Sequence, residues 1–208
     1  LEDPDSIRMA LKNPGLQVEA VLACGLLPAR QAVPLLLETY PELSPEARGT
    51  AEKVLISEKE LTRRALRSGL PSLNDTALAF YAPLVASLDL REAPPRLVRL
   101  ARSERHRGVA LEALARINDP SVIRRLFNLD PSDVIEFVRK MGKAGAVEVQ
   151  RLALDGDPRM ARVALSMLPE FPGVEAPGWN VCVADASQKD RWVALTTDGK
   201  SCKQPSWV

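Results

Sequence analysis

An apolar anchor recurs along this chain at a spacing near 26 residues. It stands at Ile7, Val33, Leu61, Leu97, Ile123 and Val149, with intervals of 26, 28, 36, 26 and 26 residues. A fixed period of that size means stacked supersecondary units rather than one closed core. Each unit of such an array contacts only its neighbours, and its working part is usually an extended surface. The one long interval contains Glu92-Ala93-Pro94-Pro95, which reads as a loop insertion.

The clearest unit covers residues 107–130. Within it Val109, Leu111, Leu114, Ala115 and Ile117 have helical spacing, not the alternation of a strand. Asn118-Asp119-Pro120 then stops one helix and starts the next. An aspartate carboxylate accepts from an orphan amide at a helix start, and proline fits the first helical position because its missing N–H costs nothing there. A second short helix follows with Ile123, Leu126 and Phe127 on one face. Asp130-Pro131 repeats the punctuation ahead of Val134, Phe137, Val138 and Met141, and Asp157-Pro158 ahead of Met160, Val163, Ala164 and Met167. Each unit is therefore helix, turn, helix. Helices of about ten residues are marginal alone in water and need neighbours on both sides of the apolar stripe.

Two segments carry a resemblance. Leu26-Leu27-Pro28-Ala29-Arg30-Gln31-Ala32-Val33-Pro34-Leu35-Leu36-Leu37 and Ala115-Arg116-Ile117-Asn118-Asp119-Pro120-Ser121-Val122-Ile123 resemble the short bacterial HEAT-like repeats of phycobilisome lyases and interaction scaffolds. The likeness covers roughly residues 3–170 and is more degenerate over 44–70 and 73–104. It implies an all-α fold, a HEAT-like α-solenoid of about six helix pairs, over residues 1–170. Residues 171–208 are expected to form a separate small unit. The chain opens inside what would be the second helix of a unit, which points to a helix or a membrane anchor upstream.

The formal net charge is only +1, so the whole-molecule field selects neither a polyanion nor a membrane. No stretch reaches the ~18 apolar residues that a spanning helix needs.

Composition changes near Phe171-Pro172-Gly173. Beyond it lie all three tryptophans, Trp179, Trp192 and Trp207, and two of the three cysteines, Cys182 and Cys202. Residues 180–184 and 191–197 are rich in branched and aromatic side chains with partial alternation, and Asp198-Gly199 is turn chemistry. A small antiparallel β meander is expected there. Such a sheet is marginal alone. A Cys182–Cys202 bridge would staple it, contributing roughly 3 kcal/mol in the chain-entropy model. The other reading is two reduced thiols in a small core. With the bridge the compartment is oxidising, periplasm or cell surface; without it, cytoplasm. The tryptophans form either the core of the meander or an aromatic platform for a sugar or peptide. Cys24 shares a helix stripe with Val21 and Leu22 and reads as a buried free thiol.

Catalytic chemistry finds little support. The single histidine, His106, lies in a charged connection, and no paired CxxC exists. A phosphate-binding loop, a dinucleotide fingerprint and a nucleophile elbow are all absent. HEAT-like DNA glycosylases use Trp and Asp on the concave face, and residues 1–178 hold no Trp.

One constellation remains. Two residues past the anchors stand Met9, Leu35, Arg63, Arg99, Arg125 and Arg151. Four arginines in one register of consecutive second helices would form a ladder, since neighbouring helices pack roughly 8–10 Å apart. Arg64, Arg67, Arg96, Arg102 and Arg124 thicken it, and Arg64 can replace Arg63 in register. The resemblance puts second helices on the concave surface, where Arg63, Arg64, Arg99, Arg124, Arg125 and Arg151 would grip an acidic segment of a partner protein. The plainer reading is a solvated face, with arginine favoured for its helix propensity. The expectation is a non-enzymatic protein-interaction scaffold without metal or cofactor. The rivals are a nucleic-acid-binding solenoid, disfavoured by charge balance and few stacking aromatics, and a lyase-like enzyme acting on a bound chromophore, which needs a reactive cysteine.

Overall fold

The structure, a computed structural model, describes residues 3–155, 157–171, 180–182 and 193–195. Its described residues are mostly helical, as expected of an all-α chain. The chain divides into two compact units, Leu1–Met141 and Gly142–Val208.

The first unit carries α1 (Pro4–Leu11), α2 (Gln17–Cys24), α3 (Ala29–Thr39), α4 (Pro45–Ser57), α5 (Lys59–Gly69), α6 (Asp75–Ser87), α7 (Pro94–Leu100), α8 (Arg107–Ile117), α9 (Ile123–Leu126) and α10 (Pro131–Met141). Short polar residues start many of them. Asp3 accepts from Ser6 N at 3.0 Å, Ser44 from Ala47 N at 3.3 Å and Asn74 from Ala77 N at 2.8 Å. Pro4 and Pro45 occupy first turns, where the ring is pre-set and no donor is lost. Asp119 and Asp130 do the same work at the turns read from the sequence, accepting from Ser121 N and Ser132 N at 3.0 and 2.9 Å. Asn118 ends α8 with φ +54°, in the left-handed region that asparagine tolerates better than most residues.

The packing is serial. Helix α1 touches α2 and α3, α2 touches α3 and α4, α3 touches α4 and α5, and α4 touches α5 and α6; farther along, α6 touches α7 and α8, and α8 touches α10. From α1 to α4, and again at α6, each helix thus covers its stripe with the next helix and the one after. Leu36, Leu55, Leu78, Leu84, Leu97 and Ile123 are fully buried in this way. The stripe of Val134, Phe137, Val138 and Met141 on α10 is buried throughout, as its spacing predicts. Gln17 is a buried polar stitch: its amide donates to Leu11 O and Glu42 O at 3.0 and 3.2 Å and accepts from Ser44 N at 2.8 Å. One side chain thereby satisfies three backbone groups, one at the end of α1 and two in the connection between α3 and α4.

Several local expectations change. The six anchors fall in α1, α3, α5, α7, α9 and α11, but in α5 Leu61 is only half-buried. Thr62 is the fully buried residue, its hydroxyl satisfied by Leu55 O at 2.8 Å. The burial register of α5 therefore runs one residue late. Glu92-Ala93-Pro94-Pro95 is only half loop: Glu92 and Ala93 lie in the connection from α6, Ala93 buried, whereas Pro94 and Pro95 open α7. The helix expected after Pro120 is a 3-10 turn, Pro120–Val122, followed by only one turn of α-helix, and Phe127 just beyond it is partly exposed. Leu22, expected on the packing stripe of α2, is 57% exposed.

The second unit carries α11 (Lys143–Asp155) and α12 (Pro158–Met167), which pack on each other. Asp157 caps α12 by accepting from Arg159 N and Met160 N at 3.0 and 3.1 Å. Gly142 lies at the boundary with φ +63°, a conformation that costs glycine little. Two three-residue strands, β1 (Asn180–Cys182) and β2 (Val193–Leu195), pair antiparallel with Val181 opposite Ala194. Cys202, the Cys182 side chain and the three tryptophans lie outside the described residues, and so do the Cys182–Cys202 bridge and the aromatic platform. No helix among the described residues is long and apolar enough to cross a membrane.

Candidate functional site

On α7, burial of Leu97, Val98 and Leu100 turns Arg99 outward. Arg102 follows just past the helix end. On α9, burial of Ile123 and Leu126 leaves Arg124 and Arg125 between them exposed. Helix α7 packs against the 3-10 turn that leads into α9. The result is a shallow depression of about 440 Å³ lined by Pro95, Val98, Arg99, Arg102, Arg125 and Asn128. Two expected rungs of the ladder, Arg99 and Arg125, meet here.

Their surroundings differ. Arg99 Nη2 lies 3.6 Å from Asp75 Oδ1 in an open ion pair, both side chains more than half exposed. Such a pair is worth under about 1 kcal/mol. Arg102 and Arg125 have no carboxylate partner among the described residues. Two guanidinium forks are therefore presented to solvent beside the exposed ring of Pro95.

A second depression, of about 340 Å³, lies on α5 among Glu60, Leu61, Arg63, Arg64 and Arg67. Here the chain answers much of its own charge. Arg63 is paired with Glu60 at 3.5 Å and donates to Asp89 O at 3.4 Å, and Arg67 is paired with Glu92 at 2.8 Å. Arg64 has no ion pair among the described residues. With Thr62 as the buried residue of α5, Arg64 takes the register position two residues on. Arg124 is exposed but lines neither depression. Arg151 belongs to the second unit and grips Glu148 with two bonds of 2.8 and 2.7 Å.

Sequence reasoning missed one cluster altogether. The two tyrosines of the chain stack face to face, Tyr40 on Tyr81, with ring centroids 5.3 Å apart. The Arg48 guanidinium lies over Tyr40 at 5.8 Å and over Phe80 at 5.0 Å. Tyr40 Oη donates to Glu52 Oε1 at 2.6 Å, Tyr81 Oη donates to Leu37 O at 2.5 Å, and Arg48 Nη2 donates to Leu43 O at 2.7 Å. Burial pushes the Tyr40 hydroxyl far above its ordinary range, and the Glu52 hydrogen bond and charge push it the same way. Burial also raises Tyr81. The cluster ties α3, α4 and α6 together. Its members are far apart in sequence with no shared period, so no sequence signal could have gathered them.

Cys24 is fully buried and free, and burial pushes its thiol up to about 11. A thiol so disposed is a poor nucleophile at neutral pH. His106 sits half-buried in a 3-10 turn, Glu104–His106. Among the described residues no group of three or more His, Cys, Asp or Glu could hold a metal ion. Comparison with protein-family models, with characterised proteins and with solved structures returned no match.

Proposed function

We propose that this chain is a non-enzymatic protein-interaction module, a short HEAT-like α-solenoid with a β appendage, that takes an acidic segment of a partner protein in the Arg99–Arg102–Arg125 depression. One observation carries this reading: Arg102 and Arg125 converge with Arg99 on one depression yet have no acidic partner of their own among the described residues. The serial contacts of α1 to α6 support the solenoid, and the pairing of β1 with β2 supports the appendage. Arginine forks match carboxylates two bonds at a time, and that match is stronger than single neutral contacts. The burial of Cys24 weighs against chromophore-lyase chemistry. Relative to the six arginines expected to grip a partner, the site is narrower: it uses Arg99 and Arg125, adds Arg102, and leaves Arg63 to its own ion pair.

The test is fluorescence anisotropy with a labelled oligo-glutamate peptide at low ionic strength. Saturable binding that weakens with salt and is lost in the R99E/R102E/R125E variant is the expected result. All three side chains are exposed, so the far-UV spectrum should not change. Equal binding by the wild type and the variant refutes the site.

A further inference from the structure

The charge at the Arg99–Arg102–Arg125 depression selects among anions. We propose that it is a subsite for a phosphomonoester carried on a side chain of the partner polypeptide. This rests on the reading that an acidic segment of a partner docks there.

Three guanidinia line the depression, and among the described residues the one carboxylate paired with them is Asp75, 3.6 Å from Arg99. Three positive charges against one negative leave two unmatched. A single carboxylate brings one charge and two oxygens, so one fork would stay unsatisfied. A phosphorylated side chain brings about −1.5 to −2 charges and three strong acceptor oxygens. Planar forks arriving from two different helices can each take a separate edge of that group. Pro95 supplies apolar surface for the carbon stem, and the Asn128 amide offers both a donor and an acceptor to the adjoining backbone. The depression holds no aromatic side chain on which a base could stack. That favours a phosphorylated polypeptide over single-stranded nucleic acid. The α5 depression makes the contrast: Glu60, Glu92 and the Asp89 carbonyl already hold Arg63 and Arg67, leaving only Arg64 to offer.

The test follows the arginine Nε–H signals of the full chain by NMR during titration. The probes are a Gly-Gly-phosphoserine-Gly-Gly peptide blocked at both ends, the same peptide with Glu in place of phosphoserine, inorganic phosphate, and oligothymidine. We expect saturable shifts at Arg102 and Arg125 and a dissociation constant ~10-fold lower for the phosphopeptide than for its Glu counterpart, from the extra charge and bonds. The R102Q and R125Q variants should lose that difference, and R64Q should keep it. Equal affinity for the two peptides overturns the phosphate subsite but leaves acidic-segment docking standing. No response to either peptide overturns both. Inorganic phosphate binding as tightly as the phosphopeptide overturns the polypeptide-borne source. Oligothymidine binding more tightly than the phosphopeptide overturns the partner class.

Discussion

Replacing Tyr40 with Phe removes one oxygen from the middle of the first unit and little else. The ring can keep its stack on Tyr81 and its place under Arg48. What goes is a 2.6 Å donor to the half-buried Glu52 carboxylate. Hydrogen bonds to charged groups contribute about 1.5–3 kcal/mol, and a carboxylate left without its donor costs at the upper end. Tyr40→Phe should therefore lose about 2 kcal/mol, or roughly 5–8 °C in Tm for a unit of this size. Urea unfolding followed by circular dichroism measures it, and a double-mutant cycle with Glu52→Gln should return most of that loss as coupling. The pH dependence supplies an independent check. The folded-state pKa of Tyr40 is raised, so below the unfolded value near 10 its full contribution is present. Above that pH the unfolded chain releases a proton that the folded one retains, and stability falls. The Phe variant lacks this slope, so the gap between the two proteins should shrink as pH climbs past about 10. A loss below about 0.5 kcal/mol, or a gap that stays constant from pH 9 to 11, would refute the account of this cluster.

Two further outcomes follow from burial. Leu126→Ala should cost about 2–5 kcal/mol because Leu126 is fully enclosed, and Phe127→Ala clearly less because its ring is partly exposed; chemical denaturation ranks them, and the reverse order would show α9 to be packed differently. Cys24 should resist iodoacetamide in the native protein and react once urea unfolds it, read by peptide mass mapping. With its folded pKa near 11 against an ordinary 9.0, it should cost stability as pH rises from about 9 to 11, a decline that Cys24→Ala removes.

Much of the helical plan was legible because its signals are local. The stripe at Val134, Phe137, Val138 and Met141 depends on residues three or four apart and the caps at Asp119, Asp130 and Asp157 on residues two apart, all within the reach of one helical turn. The 26-residue period placed an anchor in each odd-numbered helix up to α11. It slipped in α5, where Leu61 is the more apolar choice but Thr62 is the one enclosed, because Leu55 O is near enough to satisfy its hydroxyl. Proline pairs were equally ambiguous: Pro94-Pro95 suits a loop or a first helical turn, and packing of Ala93 and Pro94 decided for the helix.

Arginine at a repeat register is a statement about direction, and that much the sequence by itself determined for Arg99 and Arg125. Whether such an arginine is available is a statement about partners, and only the tertiary structure decided it. Arg67 finds the Glu92 carboxylate and Arg63 the Asp89 backbone carbonyl, both more than a helix away along the chain, whereas Arg102 and Arg125 meet no acid among the described residues. The Tyr40–Tyr81–Arg48 cluster likewise comes into being only when α3, α4 and α6 close on one another. Helical periodicity is set by the geometry of a single turn, but charge pairing and ring stacking need groups within a few ångströms in space, and sequence spacing carries no such distance across separate helices.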